Sequence, residues 1–295
     1  MCIYRCNICN NARMSGDEGT QTLRRGLRIV GLVSEHPGIG LGEIAAALGV
    51  HKSTASRLCA ALAQAGFLEP VRSGEEARAT SYRLGLWLFV LGSRASAALA
   101  LKQQAPPVMR HLAQQTGLPV YLSVPWSGLS LCIEEVPGPA GSVWQGSSVG
   151  VPHPLYATAT GKLYLAGLAD VAVRSRLAEV PFHPLAPNTR TEMDALLVDL
   201  AQIRQAGYAF NDQETEYGVR YLGVAVRDSG GEFLAGLTLG ATVEQRTPAQ
   251  LIEALPALRA AAETLGFRAS AGVPVPLARG LAAPLNGRDR RPVSR

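Results

Sequence analysis

The chain has 295 residues, of which 47% are hydrophobic and 17% are charged, and its net charge is +5. This length suits two domains with sizeable cores, and no apolar run reaches the roughly 18 residues that a membrane span requires. The N-terminus has no apolar signal segment. Three of the five cysteines lie within the first nine residues and the other two are far apart, a spacing that does not indicate a framework of disulfides. We therefore expect a cytoplasmic protein.

The positive charge is unevenly distributed along the chain. Residues 21–86 carry eight Lys/Arg against five Asp/Glu, a net +3, whereas residues 103–268 carry eleven against fifteen, a net −4. Residues 87–102 add +2 and residues 269–295 add +4. A basic N-terminal part joined to an acidic body indicates that the N-terminal part contacts a polyanion.

The N-terminal part has the pattern of a winged helix-turn-helix. Residues 1–20 show no amphipathic period and are predicted to be a disordered extension. Helical spacing of apolar residues predicts short helices at 21–35, 41–48 and 52–65. Gly49 and Gly66 directly follow the second and third of these helices and are predicted to end them. Two predicted strands, 67–71 and 81–84, flank a charged loop and indicate a wing. We expect residues 21–85 to form a DNA-binding domain and residues 86–102 to form one linker helix.

The rest of the chain has a mixed α+β pattern over residues 103–268. Helical spacing predicts helices at 107–116, 160–178, 192–206 and 248–266, and alternation predicts strands at 119–125, 129–136, 207–211, 219–227 and 232–239. Because helices and strands do not alternate strictly, the pattern argues against a parallel doubly wound sheet. Residues 269–295, rich in proline, glycine and arginine, are predicted to be a disordered basic tail.

The third predicted helix carries the strongest signal for DNA binding. Its exposed positions are predicted to be His51, Lys52, Ser53, Thr54, Ser56 and Arg57. Such side chains reach base edges and phosphates in a major groove, and the helix N-terminus offers free amides to a phosphate. Ser53, Thr54 and Arg57 are the first candidates for these contacts. The alternative is a solvated polar face on a module that binds another protein.

Other arginines near this helix in the sequence suit contacts with the DNA backbone. Arg24, Arg25 and Arg28 are candidates for phosphate contacts, although Arg28 equally suits a local ion pair. Arg72 and Arg78, in the wing, are candidates for contacts with a flanking backbone or minor groove. Two glutamates beside the wing arginines weaken that second assignment.

Motifs in both halves of the chain resemble those of the IclR family of regulators. They are Arg25-Gly26-Leu27-Arg28-Ile29, Glu43-Ile44-Ala45, the run from Lys52 to Leu58, Gly66-Phe67-Leu68-Glu69, Tyr82-Arg83-Leu84-Gly85, Thr158-Ala159-Thr160-Gly161-Lys162, the run from Gly207 to Glu214, and Gly218-Val219-Arg220. The motifs follow the family's order over residues 21–268. The resemblance is therefore far more specific than an isolated helix-turn-helix.

The resemblance implies an architecture and a set of partners. It implies a GAF-like effector domain built around a mainly antiparallel sheet, in which a small organic acid modulates DNA binding. It also implies a homodimer or a dimer of dimers on a palindromic operator in double-stranded DNA, because a two-fold dimer reads symmetric half-sites. The sign of regulation and the identity of the effector are not implied.

The effector site is expected where Thr158–Lys162 begins a helix with small residues. Small residues let an anion approach the helix N-terminus, while a plainly capped helix explains the same residues equally well. The resemblance favours the first interpretation and implies effector contacts from Ala159, Thr160, Gly161, Asn211, Tyr221, Thr238 and Gly240.

Three of these positions depart from the common pattern of the family. Asn211 stands where aspartate is frequent, Tyr221 replaces a small cysteine, and Gly240 lacks a common hydroxyl. Lys162 is expected to point outward.

Two groups of residues suggest metal chemistry, and neither is convincing. Cys2, Cys6 and Cys9 have the spacing of a radical-SAM iron–sulfur loop, but no repeated βα pattern follows them. Cys132, His153 and His183 lack the paired spacing that zinc ligands usually have.

No hydrolase, P-loop or dinucleotide-binding sequence motif occurs in the chain. We predict a regulator without metal, cofactor or enzymatic activity; the alternatives are constitutive DNA binding with a pocket blocked by Tyr221, and a metal-binding sensor.

Overall fold

A computed structural model describes residues 18–71, 80–97, 100–138 and 148–271. The chain divides into two compact units, Met1–Ala98 and Leu99–Arg295. Within the described ranges, no helix combines the length and the apolar character that a membrane crossing requires.

The first unit contains three helices, a two-stranded hairpin and a fourth helix. They are α1 (Glu18–Glu35), α2 (Leu41–Leu48), α3 (Lys52–Gln64), β1 (Leu68–Val71), β2 (Ser81–Leu84) and α4 (Leu86–Ala97). Apolar side chains of the first three helices and the hairpin form one core, including Ile29, Ile44 and Leu68. Cys59 lies in the same core, where burial raises the pKa of its thiol to about 11 and keeps it protonated.

Tight turns lie on both sides of helix α2, and the second of them leads into helix α3. Gly49 ends α2 in the left-handed conformation, with φ at 64°, and its amide donates a hydrogen bond to the Ala46 carbonyl at 3.1 Å. The turn before α2 joins the hairpin, because the amide of Tyr82 donates to Ile39 O at 3.1 Å and the amide of Gly38 donates to Tyr82 O at 3.0 Å. The turn that leads into α2 is therefore fixed to the hairpin.

The second unit is built around one six-stranded antiparallel sheet. Its elements are α5 (Ala100–Thr116), β3 (Val120–Trp126), β4 (Leu129–Val136), β5 (Pro152–Pro154), a 3-10 turn (Leu155–Ala157), α6 (Ala159–Ala166), α7 (Asp170–Leu177), α8 (Met193–Ala206), β6 (Ala209–Asp212), β7 (Val219–Arg227), β8 (Phe233–Thr242), α9 (Pro248–Ile252) and α10 (Leu255–Ala271). The strand order is β5-β4-β3-β8-β7-β6. The predicted α+β class with a mainly antiparallel sheet is confirmed.

Apolar side chains cover both faces of this sheet. Leu222 belongs to a core that includes α5 and α10, whereas its neighbour Tyr221 packs against a second core that includes α6, α7 and α8. Because successive strand residues point to opposite faces, the two cores lie on opposite sides of the sheet. Helix α6 lies close against the sheet because Gly223 and Gly236 leave room for Leu163 and for Thr160.

Three of the predicted helices differ substantially from the observed ones. The predicted linker helix 86–102 is helical over Leu86–Ala97 and again from Ala100, and residues 98 and 99 lie outside the described residues. The helix predicted at 107–116 is α5, which runs from Ala100 to Thr116 with two prolines inside it. A proline is most readily accommodated in the first helical turn, so the sequence placed the start of this helix too late. The predicted helix 160–178 breaks at Gly167, and the predicted helix 248–266 is two helices.

Candidate functional site

Helix α3 presents a polar and basic surface at its N-terminal end. Ala55 and Cys59 are buried, while His51, Lys52, Ser53, Ser56 and Arg57 are exposed and Thr54 is half-buried. The opposite side of the helix is thereby fixed to the core. Five of the six residues that the sequence placed on the outer surface are therefore exposed, and the sixth, Thr54, is only partly accessible.

His51 caps the start of this helix. Its Nδ1 lies 2.9 Å from Ser53 Oγ and accepts the amide of Ser53 at 3.4 Å. The side chains of Lys52 and Arg57 make no hydrogen bond or ion pair within the described part of the chain. Their positive charges are therefore not neutralised by any described residue. A helix N-terminus with free basic side chains is suited to phosphate and base contacts.

The arginines of helix α1 differ in exposure. Arg28 is exposed, whereas Arg24 and Arg25 are half-buried. Arg28 has no ion-pair partner among the described residues, so the local ion pair considered for it is not formed there. The wing arginines Arg72 and Arg78 lie outside the described residues.

A cavity of about 70 Å³ lies in the second unit beside the start of helix α6. Four residues predicted for the effector site line it: Ala159, Thr160, Tyr221 and Thr238. The other lining residues were not predicted to contact an effector; they are Tyr121, Ser123, Ser130, Cys132, Ser148, His153, Thr158 and Thr215. Serines within the apolar strands β3 and β4 were the one sequence signal that could have pointed to them.

The start of helix α6 is tightly constrained. Thr158 Oγ1 accepts the amide of Gly161 at 2.9 Å. A Cβ atom on Gly161 would lie 2.1 Å from Leu155 O, and one on Gly236 would lie 2.4 Å from Thr160 Oγ1. These glycines therefore fix the position of Thr160, which is 2% exposed, over strand β8.

Three residues predicted for the effector site do not line the cavity. Asn211 is fully buried and donates from Nδ2 to Ala157 O at 2.6 Å, while its Oδ1 accepts the amide of Glu214 at 3.1 Å. Its amide therefore holds a turn together. Gly161 makes room for the Leu155 backbone, and a Cβ on Gly240 would lie 3.0 Å from the Tyr121 ring. Asn211 therefore acts through hydrogen bonds within the protein, and the two glycines act through packing.

Lys162 does not point outward as the sequence had suggested. Its side chain is buried, and its Nζ pairs with Glu214 and, at 2.7 Å, with Asp199 Oδ2. Arg190 also contacts Asp199, with Nε at 2.8 Å from Oδ2. Burial raises the pKa of Glu214, and Lys162 partly offsets this effect. Burial also opposes ionisation of Asp199, but hydrogen bonds from Arg190 and Lys162 outweigh it and lower its pKa.

The titratable groups lining the cavity stay uncharged near neutral pH. Burial raises the pKa of Cys132 to about 11 and raises the pKa values of Tyr121 and Tyr221, whose rings pack edge to face with centroids 5.9 Å apart. Burial lowers the pKa of His153, which favours the neutral imidazole. An anion in this cavity would therefore rely on hydroxyls and on the first amides of α6.

The three residues considered for zinc are not all brought together. Cys132 and His153 both line the cavity, whereas the backbone of His183 is hydrogen-bonded to the hydroxyl of Tyr156. Among the described residues, no group of three or more His, Cys, Asp and Glu side chains is arranged to hold a metal. Cys2, Cys6 and Cys9 lie outside the described residues.

Comparisons with known proteins cover both units. Residues 22–72 match the IclR helix-turn-helix domain, and residues 94–266 match the C-terminal domain of the bacterial transcriptional regulator IclR. The DNA-binding transcriptional repressor YiaJ of Escherichia coli (strain K12) is 31% identical over 216 residues, which cover 72% of this chain and 75% of that protein.

Two solved structures have the same fold. The IclR protein of Thermotoga maritima matches with a TM-score of 0.64 at 26% identity, covering 84% of this chain and 100% of that one. An IclR homologue from Microbacterium hydrocarbonoxydans, complexed with 4-hydroxybenzoate, matches with a TM-score of 0.70 at 24% identity, covering 85% and 100%. Because the family matches span both units, the chain belongs to the IclR family of bacterial transcriptional regulators, which are DNA-binding proteins rather than enzymes.

Proposed function

We propose that the exposed surface of helix α3, from His51 to Arg57, reads an operator, and that a small organic acid in the cavity beside α6 changes operator affinity. The observation that carries the proposal is the exposure of this basic surface on a helix whose other side is buried. Ser53, Thr54 and Arg57 lie where a recognition helix contacts base edges. Arg24, Arg25 and Arg28 on α1 contact flanking phosphates, and Arg72 and Arg78, which lie outside the described residues, contact a flanking backbone or the minor groove.

The effector proposed for the cavity is a compact carboxylic acid. A volume of about 70 Å³ is small beside the roughly 300–1,000 Å³ of common ligand pockets, so the cavity suits a compact acid. Thr160 and Thr238 offer hydroxyls there, and the amides at the start of α6 favour an anion. The Microbacterium hydrocarbonoxydans homologue was crystallised with an aromatic acid. An acid of that size requires the Tyr121 and Tyr221 rings to move.

The substitution Thr160→Val tests this site. It preserves the shape of a side chain that is 2% exposed and removes the hydroxyl. A two- to four-carbon acid that binds the wild type should add about 2.7 kcal/mol of stability at about 100 times its Kd, and we expect Thr160→Val to abolish this gain. A thermal-shift screen measures it. The matched control is Thr264→Val, because Thr264 is exposed on α10 and donates only to Ala260 O of its own helix, at 2.8 Å.

Constitutive DNA binding is the second candidate function. It is favoured by the small cavity and by the Tyr121 and Tyr221 rings that pack beside Gly240. Under this alternative, no carboxylic acid in the screen stabilises the wild type, and none changes operator affinity. Regulation by a ligand instead requires that the acid bind the DNA-bound and free proteins with different affinities. Operator titrations with and without the stabilising acid therefore separate the two functions.

The proposed DNA-binding state is a homodimer or a dimer of dimers. Helix α4 exposes large apolar side chains, with Leu86 74%, Trp87 41% and Phe89 72% exposed. Contiguous exposed apolar surface of this kind marks protein–protein contacts. A two-fold dimer would present two α3 helices to the half-sites of a palindromic operator in double-stranded DNA.

The substitution Phe89→Glu tests the contribution of helix α4 to dimerisation. A charged side chain cannot be buried unpaired at an apolar interface, so we expect the dimer dissociation constant to rise by at least about a hundredfold. Sedimentation equilibrium measures this constant, and circular dichroism checks the fold. The matched control is Phe267→Glu, since Phe267 is 77% exposed on α10. Equal dimerisation of both variants and the wild type would contradict the assignment.

A further inference from the structure

A second and larger concavity lies on the effector-domain unit, away from the start of helix α6. It is a groove of about 400 Å³ between the C-terminal ends of α6 and α8, strand β7 and helix α10. Ligand sites commonly have volumes of roughly 300–1,000 Å³; the volume of the groove lies within this range, whereas the 70 Å³ cavity lies below it and suits only a compact acid. The groove belongs to a different part of the fold from the proposed effector cavity.

Three arginines lie along the groove, and each is held by backbone carbonyls. Arg204 donates from Nε to Ala166 O at 2.9 Å and from Nη2 to Leu168 O at 3.0 Å, and its Nη2 also pairs with Asp170 Oδ1 at 2.8 Å. Arg259 donates from Nη2 to Ala206 O at 2.8 Å, and Arg227 donates from Nη1 to Gly231 O at 2.9 Å. Carbonyls at helix C-termini attract cations, which explains why arginines gather where α6 and α8 end.

The carbonyl contacts leave other guanidinium donors available. Within the described part of the chain, Arg204 Nη1, Arg227 Nε and Nη2, and Arg259 Nε and Nη1 make no hydrogen bond. Because each guanidinium is already fixed by a carbonyl, little side-chain entropy remains to be lost when a ligand binds. Glu263 is the one acidic side chain on the groove lining, and Asp170 pairs with Arg204 beside the lining, so the three arginines and these two carboxylates carry a net +1.

The floor of the groove is apolar. Leu163, Ile203, Val224 and Ala262 contribute to it. A purely inorganic anion would leave these apolar side chains exposed to water. An organic anion with an apolar body would cover them, and burial of this apolar surface would favour its binding. The C-terminal tail of the chain is a poor occupant, because residues 269–295 carry five Lys/Arg against one Asp/Glu.

We infer that this groove is a second ligand site, which takes an organic anion whose apolar body covers the floor and whose carboxylate or phosphate contacts Arg227 and Arg259. The inference does not depend on the small acid proposed for the other cavity. The arginines are exposed, so their attraction is screened by salt, and binding weakens as ionic strength rises.

The test uses a matched pair of ligands on the full chain. The probes are 2-naphthoate and its uncharged counterpart 2-naphthamide, both too large for the smaller cavity, titrated by calorimetry at low salt. The wild type should bind the carboxylate at least about tenfold more tightly than the amide, because charged hydrogen bonds to two guanidiniums contribute at least this much. The double variant Arg227→Gln/Arg259→Gln should lose that preference, and Arg227→Lys/Arg259→Lys should retain most of it.

Controls distinguish the groove from the general charge of the protein and from the other cavity. Arg174→Gln removes an exposed arginine that pairs with Asp194 and does not line the groove, so the preference should persist. Thr160→Val should also leave it unchanged. The inference is overturned if the Gln double variant keeps the wild-type preference while its melting temperature is unchanged. It is equally overturned if Arg174→Gln or Thr160→Val abolishes the preference.

Discussion

Replacing Arg57 with alanine should weaken operator binding by roughly 1–3 kcal/mol, while leaving folding and dimerisation intact. Arg57 is exposed on helix α3, and its side chain makes no hydrogen bond or ion pair with any described residue. Truncating this side chain therefore breaks no polar contact within the described part of the protein. If Arg57 contacts a phosphate, affinity for all DNA sequences should fall together and the salt slope should shrink by about one. If it reads a base, specificity should relax at one position. Fluorescence anisotropy at several salt concentrations measures both effects.

The control for Arg57→Ala is Gln64→Ala. Gln64 is exposed at the other end of the same helix, so its substitution tests the general effect of truncating a side chain of α3. We expect its operator affinity to equal that of the wild type. Equal affinities for Arg57→Ala and the wild type would contradict the proposed reading surface, provided that sedimentation shows the same oligomer for both.

Replacing Lys162 with methionine should destabilise the protein by roughly 3–5 kcal/mol, because it leaves buried carboxylates without their cation. The Lys162 side chain is 2% exposed, and those of Glu214 and Asp199 are 5% and 16% exposed. Arg190 still reaches Asp199, so Glu214 is the group left uncompensated. Chemical denaturation of the wild type and the variant measures the change.

A second substitution and a pH series test the cause of this loss. Adding Glu214→Gln to Lys162→Met should recover part of the stability, since the double variant no longer buries an unpaired carboxylate at residue 214. In Lys162→Met alone, the folded-state pKa of Glu214 should rise further above its unfolded value. The stability of that variant should therefore fall relative to the wild type as pH rises from 5 to 8. A loss below about 1 kcal/mol, or strictly additive effects, would contradict a buried ion-pair network.

The helix-turn-helix was predictable because its signals are local. Gly49 and Gly66 mark helix ends, and apolar spacing places Ile44 and Ile29 in the core. The exposed surface of α3 follows from the same periodicity. The prolines inside α5 misled the prediction of where that helix starts, because proline is ordinarily found in the first turn of a helix.

The effector domain was less predictable because its cavity depends on contacts between distant segments. Tyr121 and Tyr221 meet across Gly240 through the register of three strands. Lys162 is paired with residues 37 and 52 positions away, so nothing local to its motif indicated that it is buried. Asn211 resembled a ligand contact in sequence, but its amide is used within the protein.

The most direct test of operator reading by α3 is selection of genomic DNA fragments by the full chain at moderate salt, followed by sequencing. We predict that the wild type retains fragments that share a short palindromic motif, and that Arg57→Ala retains fewer of them or a relaxed motif. The neighbouring genes would then indicate the chemistry of the effector. Retained fragments without a shared motif, or the same motif and yield with Arg57→Ala, would contradict operator reading by helix α3.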